Sequence, residues 1–258
     1  MLLEFLVNGV AIIKKCHNSG TIVSESSFAG GIVGYGNGEI EDCYNEGKVS
    51  TTSLSAGGMV GYGGWSMNRC YNTGSITGGA ANGLSTSINN AINCYNTGII
   101  TGSGSGRGLG HGGNAKNCYN GGIVNAGPST GAKITGIDNE ASLTVNCCSF
   151  GKLNLNGRGL AKSVVSNSGT ITNCYYLDGI EEGTEIIPEE SAIKFVKTSN
   201  DVEEMTTLKV VQALNAYIES NEDEEDTTGW CKWKVSDNNL PILDYNTEWN
   251  GTEWITIN

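Results

Sequence analysis

A cysteine, an aromatic residue, an asparagine and a glycine recur together in this chain. They stand as Cys43-Tyr44-Asn45-Glu46-Gly47, Cys70-Tyr71-Asn72-Thr73-Gly74, Cys94-Tyr95-Asn96-Thr97-Gly98 and Cys118-Tyr119-Asn120-Gly121-Gly122, with weaker copies at Cys16, Cys147 and Cys174. Three readings fit these residue types. Thiols can hold a metal or cycle between redox states, tyrosines can stack on a ligand, or the group is one structural unit copied along a stack. Spacing argues against the first. A structural zinc site draws its ligands from short clusters such as Cys-x-x-Cys, and none occurs here. No metal and no cofactor is therefore predicted. Disulfides along the row are disfavoured too, because neighbouring strands stand about 4.8 Å apart while bonded Cβ atoms sit about 3.5–4.5 Å apart in a rotated geometry. Buried, reduced thiols are expected, with Cys147-Cys148 the pair to inspect.

Catalytic constellations are sparse. The chain has 2 histidines. His17 replaces the tyrosine of the repeat and His111 lies in a glycine-rich turn. There is no His-Glu-x-x-His, and no motif supports a Ser-His-Asp or Cys-His system, so no catalytic residue is assigned. The acidic groupings in the first two thirds are Glu39, Glu41, Asp42 and Glu46, then Asp138 and Glu140. A polysaccharide lyase or glycoside hydrolase would need paired carboxylates, or a calcium cluster with a basic residue, on one flank, and that is the alternative to a non-catalytic reading. Tyr44, Tyr71, Tyr95 and Tyr119 are the candidate ligand-binding residues: an exposed aromatic row would contact a glycan or protein, a buried one would fill a core.

The elements that must position these residues follow from the period. Anchor cysteines 16, 43, 70, 94, 118, 147 and 174 are separated by 27, 27, 24, 24, 29 and 27 residues. Glycine stands four residues after the first six anchors and an aliphatic residue two further on. Each unit holds two or three short apolar beads between glycine turns, too short for helices. One unit cannot bury its own apolar positions, whereas stacked units cover each other. The predicted fold is all-β: a right-handed parallel β-helix of about seven coils of 24–29 residues with a small C-terminal α+β cap. Equal positions would then stack, with Asn18, Asn45, Asn72, Asn96 and Asn120 forming an amide ladder. The glycine two residues later is expected to supply a left-handed corner, and a bend is expected just before each cysteine. A third outward ladder, Ser50, Thr77, Thr101, Asn125 and Asn154, lacks the uniform threonine of an ice-binding face.

Charge and glycine both change near residue 178. Residues 1–178 carry net +1 and 34 of the 38 glycines, while 179–258 carry net −13. The expected organisation is a β-helix over 1–178, an acidic linker over 179–200 and a helix-plus-strands cap over 201–258. In the last part, 201–219 reads as a helix capped by Asp201 with Glu204, "GWCKWKV" and "NNLPILDYN" read as two strands, and "EDEED" (222–226) as a solvated loop without a calcium-site pattern. The acidic total argues against nucleic acid, and no run reaches the length of a membrane span. The opening "MLLEFLVNGVAIIKK" lacks the layout of a signal peptide and reads as buried strands.

Two stretches carry a resemblance. "AGGIVGYGNGEIEDCYNEGKVS" (29–50) and "AGGMVGYGGWSMNRCYNTGSIT" (56–77) are similar to GLUG-motif repeats, best in Gly31-Ile32-Val33-Gly34 and Gly58-Met59-Val60-Gly61. The element decays to "GLST", "GLGH", "GIDN" and "GLAK" in later units. Such repeats occur in long bacterial surface proteins and in the non-catalytic stalks of some IgA-specific metallopeptidases. The resemblance spans about residues 5–178 and implies a repeat rod at the extracellular bacterial cell surface, part of a longer chain, with a structural or adhesive rather than enzymatic role.

Overall fold

The computed structural model describes residues 11–25, 27–129, 132–155, 159–162, 164, 169–179, 181–182, 191–220 and 226–257. The opening strands expected over 1–10 and the acidic block up to residue 225 lie outside the described residues. The chain winds as a parallel β-solenoid. One face is a seven-stranded sheet running from Ala11–Lys14 through Gly38–Glu41, Trp65–Asn68, Ile88–Ile92, Asn114–Lys116 and Leu143–Val145 to Thr170–Thr172. A second face stacks the two-residue strands that carry the tyrosines, and a third stacks the aliphatic strands, among them Val49–Thr51, Ile76–Asn82 and Ile100–Arg107. The seven anchors from Cys16 to Cys174 bound about six complete turns of the stack.

Identical residues meet across coils because the pairing is parallel and in register: Tyr71 faces Tyr44 and Tyr95, and Asn72 faces Asn45 and Asn96. The interior is filled by Cys43, Cys70, Cys94, Cys118, Cys147 and Cys174 with Ile40, Met67 and Trp65, and behind the third face by Val49, Ile76, Ile100, Val124 and Leu153. Each of the aliphatic and methionine side chains contributes roughly 1.5–3 kcal/mol on burial, and no coil could bury them alone.

The corner before each cysteine has one device. Lys15, Asp42, Arg69, Asn93, Asn117, Asn146 and Asn173 all adopt left-handed backbone, with φ of 49–56°. This is the bend expected from the broken alternation, and asparagine is the non-glycine residue best suited to it. The glycine after the asparagine is not the left-handed residue, contrary to expectation. It is glycine because a Cβ there would lie about 2.0 Å from the glycine carbonyl of the preceding coil, as at Gly47, Gly74 and Gly98. Close approach along the stack, not backbone handedness, excludes a side chain.

Past residue 178 the solenoid continues. Ala192–Phe195, inside the expected linker, pairs in parallel with Cys174–Leu177 and buries Phe195. The helix runs Thr207–Ser220. It starts later than expected because Asp201 Oδ1 accepts the Glu203 amide in a separate turn. Both expected strands are present, Cys231–Val235 and Pro241–Trp249, and Trp254–Thr256 adds a third to their antiparallel sheet. The helix and sheet, expected as a cap over an open end, lie along the flank of the solenoid. Their polar contacts reach Arg69, Asn93, Asn117 and Asn173.

Candidate functional site

The second face builds an aromatic ladder. Tyr44, Tyr71, Tyr95 and Tyr119 stand with ring centroids 4.7–4.8 Å apart and planes within 4° of parallel. His17 extends the ladder at one end, stacked on Tyr44 at 5.0 Å, and Phe150 stacks on Tyr119 at 5.4 Å. The spacing is that of the strands, so backbone register sets it. Its chemical consequence is that each inner tyrosine has both ring faces occupied by neighbours. Stacking on a sugar requires a free aromatic face, and this ladder offers edges and hydroxyl groups instead.

The C-terminal unit covers part of the ladder. Tyr245 lies tilted against Tyr71 and Tyr95, at 6.2 and 5.6 Å, and Trp233 against Tyr119 at 6.0 Å. Burial raises the phenol pKa of Tyr71, and raises those of Tyr95, Tyr119 and Tyr245 further. The row passes from half-buried at Tyr44 to buried at Tyr119. Tyr71, Tyr95 and Tyr119 thus meet the protein's own C-terminal unit.

The junction is polar and specific. Asn117 donates to Asn93, Asn146 to Asn117 and Asn173 to Asn146, at 2.6–2.8 Å. This second amide ladder, on the left-handed residues, escaped the sequence reading, since its earlier members are Lys15, Asp42 and Arg69. The C-terminal unit reads it with backbone groups and with the side chains of Trp233 and Tyr245, which donate to Asn117 Oδ1 and to the Asn93 carbonyl. The Cys231 amide donates to Asn93 Oδ1 at 2.8 Å, and Asn117 Nδ2 donates to the Cys231 carbonyl at 2.9 Å. On the helix, Asn215 bonds both backbone groups of Trp233, at 2.8 and 3.0 Å. Side-chain amides therefore close the outer edge of this strand, which would otherwise expose unpaired groups. Arg69 completes the junction, paired with Asp42 at 2.9 Å and Glu248 at 3.5 Å, and donating to the Tyr245 carbonyl at 3.0 Å.

The first amide ladder is as expected. Asn18, Asn45, Asn72 and Asn96 each donate to the next asparagine at 2.7–2.8 Å, ending on Asn120. Each Nδ2 also reaches the glycine carbonyl two residues on, as Asn45 does at 2.9 Å.

All nine cysteines are free; Cys16 is exposed and the rest are buried, Cys147 and Cys148 included. Burial pushes the Cys43 thiol up to about 11 and Cys231 to about 12. Among the described residues no group of three or more His, Cys, Asp or Glu is placed to hold a metal ion. Of the acidic residues, Asp42 belongs to the Arg69 junction, and Glu140 pairs with Lys133 at 3.3 Å with His111 4.0 Å away. Glu39 and Glu41 flank the buried Ile40 on one outward strand face. They line a shallow groove of about 270 Å³ with Ile12, Lys14, Ser66 and Asn68, where Lys14 pairs with Glu41. A second aromatic group, missed in the sequence, sits in the first two units. Tyr35 and Tyr62, 66% and 42% exposed, stack at 5.8 Å with Phe28 beside them. The tyrosine following each intact Gly-Ile-Val-Gly or Gly-Met-Val-Gly element was the available signal.

No protein-family model and no curated protein matches the chain. Among solved structures, it is similar to a candidate immunoglobulin A1 protease from Bacteroides ovatus, with 17% identity and a TM-score of 0.59. The match covers 90% of this chain and 75% of that one. At this identity the likeness concerns the fold, and the two chains share a β-solenoid.

Proposed function

We propose that this chain is a non-catalytic structural and adhesive segment of a bacterial cell-surface protein, a rigid repeat rod that displays or binds ligands. The observation that carries the reading is the unbroken amide ladder from Asn18 to Asn120. It ties each coil to the next with bonds additional to the parallel backbone pairing. Buried amide chains of this kind hold a single register, because a slip would leave donors unpaired at a cost of about 1–3 kcal/mol each. Rigidity along the axis is what a spacer or display element requires. The Gly-Ile-Val-Gly and Gly-Met-Val-Gly elements support placing these coils with GLUG-type repeats, and the β-solenoid fold shared with the Bacteroides structure fits a repeat rod. Among the described residues no helix is long and apolar enough to cross a membrane.

The test is an array of glycans and host proteins probed with the intact chain, run beside turnover of uronic-acid polysaccharides followed by ultraviolet absorbance. The rod reading expects flat absorbance. Product formation that Glu39→Gln or Glu41→Gln abolishes would instead establish the polysaccharide-cleaving alternative and put its centre in the groove beside Lys14.

A further inference from the structure

Residues 70–106 contain no Asp, Glu, Lys, Arg or His, and neither does 117–132. Solubility ordinarily favours a surface with roughly a quarter to a third charged residues. A solenoid exposes part of every coil, so these runs leave a neutral area on its outside.

The third face lays that area out as a lattice. Outward and buried positions alternate strictly: Ser75 and Thr77 in one coil and Ile99 and Thr101 in the next are exposed, while Ile76 and Ile100 between them are buried. Register places Thr77 opposite Thr101 and Thr101 opposite Asn125. Ile99 and Ile123, 49% and 37% exposed, stand in the adjacent column. Asn125 Nδ2 donates to the Ile100 carbonyl at 3.2 Å and accepts, through Oδ1, from Asn154 at 2.9 Å, which pins that column. The neutral lattice has sharp borders: exposed Glu46 and Lys48 on one side and Lys152 on the other.

Three features of this surface select a ligand. A column of hydroxyl and amide groups repeating at strand spacing runs beside a column of isoleucyl surface two residues away along the strands, which complements sugar rings, with their C–H faces and hydroxyl rims. Charge is absent, so an anionic or cationic polymer gains nothing there, whereas a neutral one loses no ion hydration on docking. The lattice also lacks the aromatic and arginine anchors that carry protein–protein binding energy. Uniform threonine, the requirement of an ice-matching face, is broken by Asn125 and by the isoleucine column. We propose that the lattice around Thr77, Ile99, Thr101 and Ile123 binds an uncharged polysaccharide. The proposal rests on the reading of the chain as an adhesive rod and names its ligand class.

The experiment is depletion of the intact chain onto insoluble cellulose, β-1,3-glucan and mannan, with polygalacturonate as the charged comparison, at low and high salt. Expected is depletion by at least one neutral polysaccharide, unaffected by salt. Ile99→Lys and Thr101→Lys should each weaken it about tenfold, and Thr252→Lys on the C-terminal unit should leave it unchanged. These side chains are exposed, and unchanged melting curves confirm folding. Lack of depletion by every neutral polysaccharide, or depletion that survives both lattice variants, overturns the proposal. So does inhibition of ice growth that both variants abolish. A hit on a protein or charged glycan with the lattice variants still active would refute the lattice while leaving the adhesive rod standing. Loss of the rod reading itself would show as polysaccharide turnover.

Discussion

Cys231 donates its amide to Asn93 Oδ1 at 2.8 Å, and Asn93 returns Nδ2 to the Gly229 carbonyl at 2.9 Å. One solenoid side chain thus satisfies two backbone groups of the C-terminal unit, 138 and 136 residues away. Asn93→Ala removes both bonds together with those to Asn68 and Asn117, leaves the Cys231 amide unpaired in a buried position and puts alanine at φ 54°. The expected loss is about 3 kcal/mol. Asn93→Gly keeps the backbone geometry and should lose less. Urea unfolding followed by tryptophan fluorescence reports it, since Trp230 and Trp233 are buried at this junction. Identical midpoints for wild type and Asn93→Ala would dismiss the junction as a source of stability.

The stacked glycines make a second comparison. A Cβ on Gly98 would lie 2.0 Å from the Gly74 carbonyl oxygen, whereas one on Gly104 would lie 3.3 Å from that of Gly79. Gly98→Ala should prevent close stacking and cost more than about 3 kcal/mol, while Gly104→Ala should stay within about 1 kcal/mol of wild type. Calorimetric melting of both variants separates steric exclusion from any general intolerance of substitution in the repeat.

Thiol chemistry follows from the core file. Under native conditions Cys16 should react with an aromatic disulfide reagent, and the buried thiols should react only on unfolding. The pH dependence has a defined sign. Burial raises the folded pKa of Cys43 to about 11 and of Cys231 to about 12, above the ordinary thiol value of about 8.5. Raised pKa values favour the protonated folded form. Stability is therefore full below pH about 8.5 and falls as pH rises through about 9 to 12. Melting temperature recorded across that range checks it, and Cys43→Ala should flatten the lower part of the fall. A melting temperature that rises with pH there would contradict the assignment.

Thr144 stands between Ala115 and Ile171 in the core column, and its hydroxyl is buried without a hydrogen-bond partner. Replacing it by the isosteric valine removes an unpaired polar atom and keeps the volume. Thr144→Val should stabilise the protein by about 1 kcal/mol, visible as a higher denaturant midpoint with unchanged slope.

Most of the solenoid was legible because stacking repeats the same demand at the same phase. Cys43, Asn45 and Gly47 recur since each meets its own copy in the next coil. The role of Gly47 was misread, because sequence does not separate a glycine needed for backbone handedness from one needed for close approach. The left-handed corner was hidden for a related reason. Its residue changes from Lys15, Asp42 and Arg69 to asparagine, since backbone conformation and the local neighbour, not one fixed bond, select it. Least legible was where the C-terminal unit sits. It recognises the flank partly through the backbone of Gly229 and Cys231, and backbone groups leave no mark on residue identity. The tyrosines were visible as a row, but which side they faced depended on that docking.

The ladder from Asn18 to Asn120 has a further consequence. Every inner coil accepts from one neighbour what it donates to the next, so a coil inserted between Asn18 and Asn45, ahead of the coils that the C-terminal unit grips at Arg69, Asn93 and Asn117, restores the same bonds on both sides. Length ahead of that junction is quantised in single strand spacings, and duplication of one unit there changes reach without redesigning the C-terminal contacts.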